Sequence, residues 1–304
     1  MEPKIGSSGR SQVGSMKSLM RGRSLLSLFP AASVLLSLRA KGLPVTGPAL
    51  TPAGFVIAVQ GWSFRHFTLW ESIEKTAARG AAAIELFPGQ AIGGPHGDVK
   101  MEPGLAHEVY RSILDHGVKH GVAPVNFGVT EIPKDKDKAR PIFEMAKTLG
   151  LYGLTTESIG AIDAFEKLAI EYDLRIGFHN HPKPTALWNP DTIWKAVKDR
   201  HENLGFCADI GHWASSGLDP LEVIRKVGSR VRSFHFKDRE SATEPGHDRP
   251  FGTGVLDLPT ILDEALAQGF AGNVSIEYEY NWETSVPEIA QCVGYLRAYA
   301  ALKA

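Results

Sequence analysis

The sequence is short of cysteine and of charge imbalance. Two cysteines in 304 residues, Cys207 and Cys292, exclude a disulfide scaffold and a cysteine-rich zinc module. Any bound metal must therefore be held mainly by His, Asp and Glu. Lys plus Arg number 33 and Asp plus Glu 34, for a net charge of −1. The basic excess of a general nucleic-acid or anionic-membrane binder is missing, so no nucleic-acid partner is expected. No uninterrupted apolar run reaches the roughly 20 residues of a stable membrane span. Also missing is a G-x-G-x-x-G fingerprint after the first expected strand, which argues against a doubly wound dinucleotide-binding sheet. What is there is an ordinary globular mix, 43% apolar and 22% charged, enough for a large core.

Residues 1–50 differ from the rest. They contain no acidic residue after Glu2 and are rich in Ser, Gly, Arg and Leu. Counted from Met16, the basic residues Lys17, Arg21 and Arg23 precede an apolar run from Leu25 to Leu38. That is the order of a secretory signal peptide, although Arg39 and Lys41 follow directly and no A-x-A cleavage site is present. Residues 1–50 therefore read as a disordered leader with signal-peptide character. Such a leader would send the protein to the periplasm or outside the cell, and without export it is cytoplasmic. Residues 51–304 remain as one domain.

In that domain β-rich apolar runs alternate with helical patterns. Strands are expected at 55–59, 82–86, 123–128, 153–157, 175–179, 204–209, 231–236 and 273–278. Helices are expected at 70–79, 104–120, 138–149, 161–172, 190–199, 220–227, 258–268 and 286–302. Gly80, Gly121 and Gly150 follow helices as C-cap signals. Pro220, Pro259 and Pro287 sit where a first helical turn tolerates proline. Eight β/α units in about 250 residues is the arithmetic of a closed (β/α)8 TIM barrel.

Barrel active sites lie at the C-terminal ends of the strands, and the ionisable residues that interrupt these apolar runs cluster there. Asp209, His235 and Glu277 end three successive strands. Alone, such an Asp is commonly a helix N-cap and such a His a satisfied hydrogen-bonding group. Together, two carboxylates and an imidazole suit Mn²⁺, Zn²⁺, Co²⁺ or Mg²⁺. The fourth ligand is expected from Glu157 or His179. Glu85, Trp62, Phe64, Phe87, Arg65 and His66 lie near the first two strand ends, as candidates to contact a substrate at the mouth. Lys237 and Arg249 are further substrate-binding candidates, Arg249 from a loop with His247 and Asp248 over the mouth.

The segments IELFPGQ (84–90), FHNH (178–181), ADIGHW (208–213), HFKD (235–238), FGTGVLDLPTIL (251–262) and IEYEYNWETSVPEIA (276–290) resemble the xylose-isomerase-like barrel superfamily. That superfamily includes D-tagatose 3-epimerase, inosose isomerases and dehydratases, and endonuclease IV. The resemblance covers about residues 54–300. It implies a metal ligand at Asp209 with a substrate-binding His212 three residues on, further ligands at His235 and Glu277, and a Gly-x-Gly at Gly252 and Gly254. The ketose epimerases carry a Glu on strand five, where this chain has His179.

The chemistry implied is proton abstraction α to the carbonyl of a keto-sugar, through an enediolate stabilised by a divalent ion. Glu277 is the candidate base, with His179 or His181 as acid/base partner. A sugar isomerase or epimerase is the first expectation. The alternative is a lyase: a dehydratase, or an eliminase cleaving a glycoside of a 3-keto-sugar with His179 as acid/base. An endonuclease IV-like nuclease and a non-catalytic sugar-binding barrel rank below these. The expected partner is a small carbohydrate, and the resemblance implies a homo-oligomer.

Overall fold

The protein is described here from a computed structural model covering residues 50–242 and 246–303. The leader expected at 1–50 lies, except for Leu50, outside the described residues. Seven parallel strands follow one another as β1 (Val56–Gln60), β2 (Ala83–Leu86), β3 (Ala123–Phe127), β4 (Gly153–Thr156), β5 (Arg175–His179), β6 (Leu204–Asp209) and β7 (Val231–Phe236). A two-stranded antiparallel ribbon, β8 (Asp238–Arg239) and β9 (Asp248–Arg249), comes next. The last barrel strand, β10 (Asn273–Ile276), pairs with both β7 and β1 and closes the barrel.

Most of the helices begin where a side chain satisfies free backbone N–H groups. Thr68 and Glu71 form a reciprocal capping box at α1 (Leu69–Ala78). Helix α2 (His107–His120) stops at Gly121, in the left-handed conformation at φ +69°. Asp135 caps α3 (Lys136–Thr148), and α4 (Ile162–Glu171) follows. Asn189 caps α5 (Pro190–Val197). A short helix that the sequence pattern did not announce, α6 (Ile210–Ser215), starts directly from β6. Asp219 and Asp257 cap α7 (Pro220–Val227) and α8 (Leu258–Ala267). Helix α9 (Val286–Leu302) closes the wall.

Strand side chains alternate between two environments. Ile84, Leu86, Ile176, Phe178, Phe234, Phe236, Val274 and Ile276 join the large apolar layer shared with the helices. Each fully buried side chain of this size contributes about 1.5–3 kcal/mol. The alternate positions face the barrel interior. At its lower end Val56, Ala58, Ala83 and Val125 form a small apolar cluster with Leu50, which bridges to Val56. Higher up the inward positions turn polar and carry Glu85, Thr155, His179, Asp209, His235 and Ser275, all buried.

Candidate active site

Parallel register fixes which strand-end side chains meet. His179 is paired with Cys207, Asp209 with His235, and Ser275 with His235. Two residues along each strand lies the next inward position, so His179, Asp209, His235 and Glu277 converge at the mouth. Each offers a ligand atom within 4.8 Å of the others, and all four are buried.

Their polar atoms show whether they suit a divalent ion. His179 Nδ1 and Nε2, Asp209 Oδ2, His235 Nδ1 and Glu277 Oε2 are buried without an aligned hydrogen bond. Leaving the imidazole nitrogens unsatisfied is costly, while the two carboxylate oxygens have the Lys237 ammonium as an ion partner at 3.1 and 2.9 Å. His179 Nε2 lies 3.5 Å from Asp209 Oδ2, and His235 Nδ1 lies 3.2 Å from Glu277 Oε2. Ligand atoms about 2.0–2.2 Å from a tetrahedral ion stand about 3.3–3.5 Å apart. Two imidazoles and two carboxylates at that spacing fit a zinc-type cation.

Surrounding groups orient these four. Glu85 Oε1 accepts from Thr155 Oγ1 at 2.8 Å and lies 3.0 Å from His235 Nε2, while its Oε2 accepts from Ser275 Oγ at 2.6 Å. The carboxylate thus fixes the His235 ring and leaves Nδ1 turned to Glu277. Asp209 is also an N-cap: its Oδ1 accepts from His212 N at 2.8 Å, so Oδ2 alone faces the cluster. Asn180, which sequence reasoning did not single out, donates to Asp209 O and accepts from Asp209 N. Only its place inside FHNH hinted at a role.

Lys237 is fully buried, with its ammonium 3.1 Å from Asp209 and 2.9 Å from Glu277, and hydrogen-bonded to Glu279. His212 Nε2 lies 3.3 Å from the same ammonium. Burial opposes the Lys237 charge, but Asp209, Glu277 and Glu279 outweigh it and raise its pKa well above the usual value. Burial pushes Asp209 and Glu277 up. His212 and Lys237 beside Asp209, and Lys237 and His235 beside Glu277, hold both carboxyls below the usual range instead. Burial drives the His212 pKa well below its usual value; Asp209 opposes this and Lys237 adds to it.

A second pair stands at the rim. His181 Nδ1 is hydrogen-bonded to Glu157, and His179 Nδ1 lies 3.6 Å from the same carboxylate. Burial raises Glu157, but the bonds from His179 and His181 overcome it and hold its carboxyl at about 2. The bond to Glu157 raises His181 in turn. Above both sites opens a cavity of about 260 Å³, lined by Trp62, Phe87, His179, His181, Glu277 and Glu279 among others. The Trp62 and Phe87 rings meet edge to face at 5.2 Å. Arg65 packs its guanidinium 3.8 Å from the Trp282 ring centre at the rim.

Several sequence expectations change in three dimensions. Glu85, expected as a substrate contact, is buried beneath the mouth with both oxygens engaged by Thr155, His235 and Ser275. Glu157, expected beside Asp209, His235 and Glu277, groups with His179 and His181 instead, because β4 stops at Thr156 and the chain turns outward. Phe64 lies in the apolar core rather than at the mouth. Arg249 belongs to β9 and lines a separate cavity with Tyr278, Tyr280 and Glu288. The Gly-x-Gly is structural. Asp238 Oδ2 accepts from Gly252 N and Gly254 N, and a Cβ at Gly254 would stand 2.2 Å from Asp238.

With this geometry in view, comparisons with known proteins agree. A family model described as xylose isomerase-like TIM barrel matches residues 73–299. An inosose dehydratase of Clostridium botulinum is 33% identical over 73 residues, 24% of this chain and 24% of that protein. The chain spans 24% to 64% of the length of the curated relatives it matches. A crystal structure from Parabacteroides distasonis is 29% identical, with a TM-score of 0.66, covering 81% of this chain and 99% of the other. The IolI protein, solved with a bound zinc atom, superposes with a TM-score of 0.62 at 14% identity, over 82% of this chain and 99% of that one.

Proposed function

We propose, from the premise that this chain belongs to the xylose isomerase-like TIM barrel family, that it is a divalent-metal-dependent enzyme of the sugar isomerase or epimerase type. The observation that carries the reading is the convergence of buried ligand atoms from His179, Asp209, His235 and Glu277 beneath a half-polar cavity. These four would hold the ion, and Glu157 stands outside the set. An ion there supplies Lewis-acid polarisation of a substrate carbonyl. The zinc of IolI is compatible with that donor set.

The chain's own groups account for the rest. His181, fixed by Glu157, faces the cavity and is the candidate to take and return the proton at Nε2. Glu277 is held ionised between Lys237 and His235, which suits a ligand better than a base. His212 and Lys237 support the cavity floor, where His212 can donate to or accept from a sugar hydroxyl. Trp62 and Phe87 give an apolar wall for one face of the sugar ring. The cavity is slightly smaller than the roughly 300–1,000 Å³ of drug-sized sites, a fit for a monosaccharide.

Among the described residues no lysine or arginine lines this cavity, and the buried Lys237 is committed to three carboxylates. A phosphate would meet Glu277 and Glu279, with no basic side chain of the lining to offset them beyond the proposed ion. The substrate is therefore read as an unphosphorylated sugar.

One observation favours a second reading. The strand-five position carries His179 in place of a carboxylate, and His181–Glu157 is a single proton-transfer pair on one side. That suits elimination of water as well as epimerisation, and the local match to an inosose dehydratase points the same way. The test is incubation of the zinc- or manganese-loaded enzyme with keto-sugars and inososes in D₂O. Isomerisation gives a product of unchanged formula carrying solvent deuterium, whereas elimination gives a product lighter by one water. With the substrate found, His181→Asn should lower kcat by about 10²–10⁴-fold while metal content holds. Unchanged kcat would remove His181 from the mechanism.

A further inference from the structure

A second group of metal-competent side chains lies on the outer wall of the barrel, away from the mouth. His116 and His120 stand one turn apart on α2 and so share a face. Glu74 reaches them from α1. Its Oε1 lies 3.5 Å from His116 Nε2 and 3.9 Å from His120 Nε2, too long for hydrogen bonds. The three ligand atoms fall within 4.8 Å of one another. His120 Nε2 is buried and has no hydrogen-bond partner.

The rings are already held in place. The His116 imidazole stacks on Trp70 with centroids 4.2 Å apart and an interplanar angle of 18°. His120 packs against His116 with centroids 4.5 Å apart. His116 Nε2 has one competing contact, the Trp70 carbonyl at 3.3 Å, a long bond whose proton a cation would displace.

We propose that Glu74, His116 and His120 form a second divalent-cation site, selective for zinc-type ions, that clamps α1 to α2. Two imidazoles and a carboxylate are a zinc donor set. Spacings of 3.5 and 3.9 Å approach the 3.3–3.5 Å or so that separates ligands around a tetrahedral ion. Hard cations such as Mg²⁺ prefer all-oxygen sites, so they should not compete. Glu74 is half-exposed, leaving a way in for the ion and water at the remaining position.

The site is tested separately from the mouth. Zinc bound per chain is measured after chelation and reloading, in the wild type and in Asp209→Ala/His235→Ala, each with and without Glu74→Gln/His120→Asn. Glu74 and His120 are not core residues, and circular dichroism checks that the fold is kept. The expected result is loss of one zinc equivalent on adding Glu74→Gln/His120→Asn in both backgrounds. The mouth-deficient protein carrying intact Glu74 and His120 should also show the tetrahedral Co²⁺ absorption bands, and the combined variant should lose them. Unchanged zinc content and Co²⁺ spectrum in the combined variant would overturn the proposal, whatever happens at the mouth.

Discussion

Glu85 shows how a residue can govern a site it does not line. Both its oxygens are used inside the barrel, and one fixes His235. Partners of this kind set the orientation and basicity of the ligand they touch, and losing one costs about 10–100-fold in metal affinity. Glu85→Gln should weaken zinc binding by that factor, measured by competition with a chromogenic chelator, while the cavity contacts of a sugar stay as they were. Equal affinity in the variant would mean His235 is oriented by its packing alone. Asp209 illustrates the same economy. Oδ1 takes the N-cap role common for such an Asp, and Oδ2 is left for the proposed ion.

At the scale of the element, helix starts are set by short polar signals whose effect depends on charge. In the capping box of α1 the bonds from the Thr68 backbone and hydroxyl, followed by a small opposing effect of burial, leave the Glu71 carboxyl below its usual 4.5. The folded state therefore binds fewer protons than the unfolded chain near pH 4. The stabilisation is present above the unfolded value and is lost as pH falls through the folded one. Glu71→Gln, which keeps the shape without the charge, should cost about 0.5–1 kcal/mol at pH 7. That gap should close towards pH 3 in parallel urea titrations. A gap independent of pH would show that the charge of Glu71 is not what stabilises the cap, and no gap at any pH would show that shape alone matters. The β8–β9 ribbon and α6 belong to this scale too. Two residues in each ribbon strand and a six-residue helix are too brief to carry a periodic signal, and Asp238 organises its loop through contacts 14 to 18 residues away.

For the whole molecule, the mouth is a knot of like charges. Asp209, Glu277 and Glu279 gather around one ammonium, that of Lys237, and Glu157 stands beyond them against the His179 and His181 imidazoles. An ion bound only by the folded state stabilises it by about 2.7–4.1 kcal/mol at 100 to 1,000 times its dissociation constant. For a domain of this size each kcal/mol moves the midpoint by about 2–4 °C. Chelation should therefore lower the thermal midpoint by about 5–15 °C, read by calorimetry, and added zinc should restore it. No shift would mean that Lys237 alone balances the carboxylates.

Much of this was legible in the chain. The eight strands and their helices follow from apolar periodicity, caps and glycine stops, all local in sequence, and the strand bounds agree to within two residues at most ends. Asp209, His235 and Glu277 were legible because period two and a charge at the end of an apolar run place them at the mouth. The rest depended on where strands end and how they stagger around the closed barrel. Tertiary structure chose His179 over Glu157 for the buried group, since one residue beyond β4 the backbone leaves the barrel wall. It also turned Glu85 from a rim candidate into a buried support, because its depth is fixed by register with β1 and β3. The composition and local pattern determined a metal-competent barrel; the closure of the sheet decided which polar atoms face one another, because that distance is set by strands up to 190 residues apart.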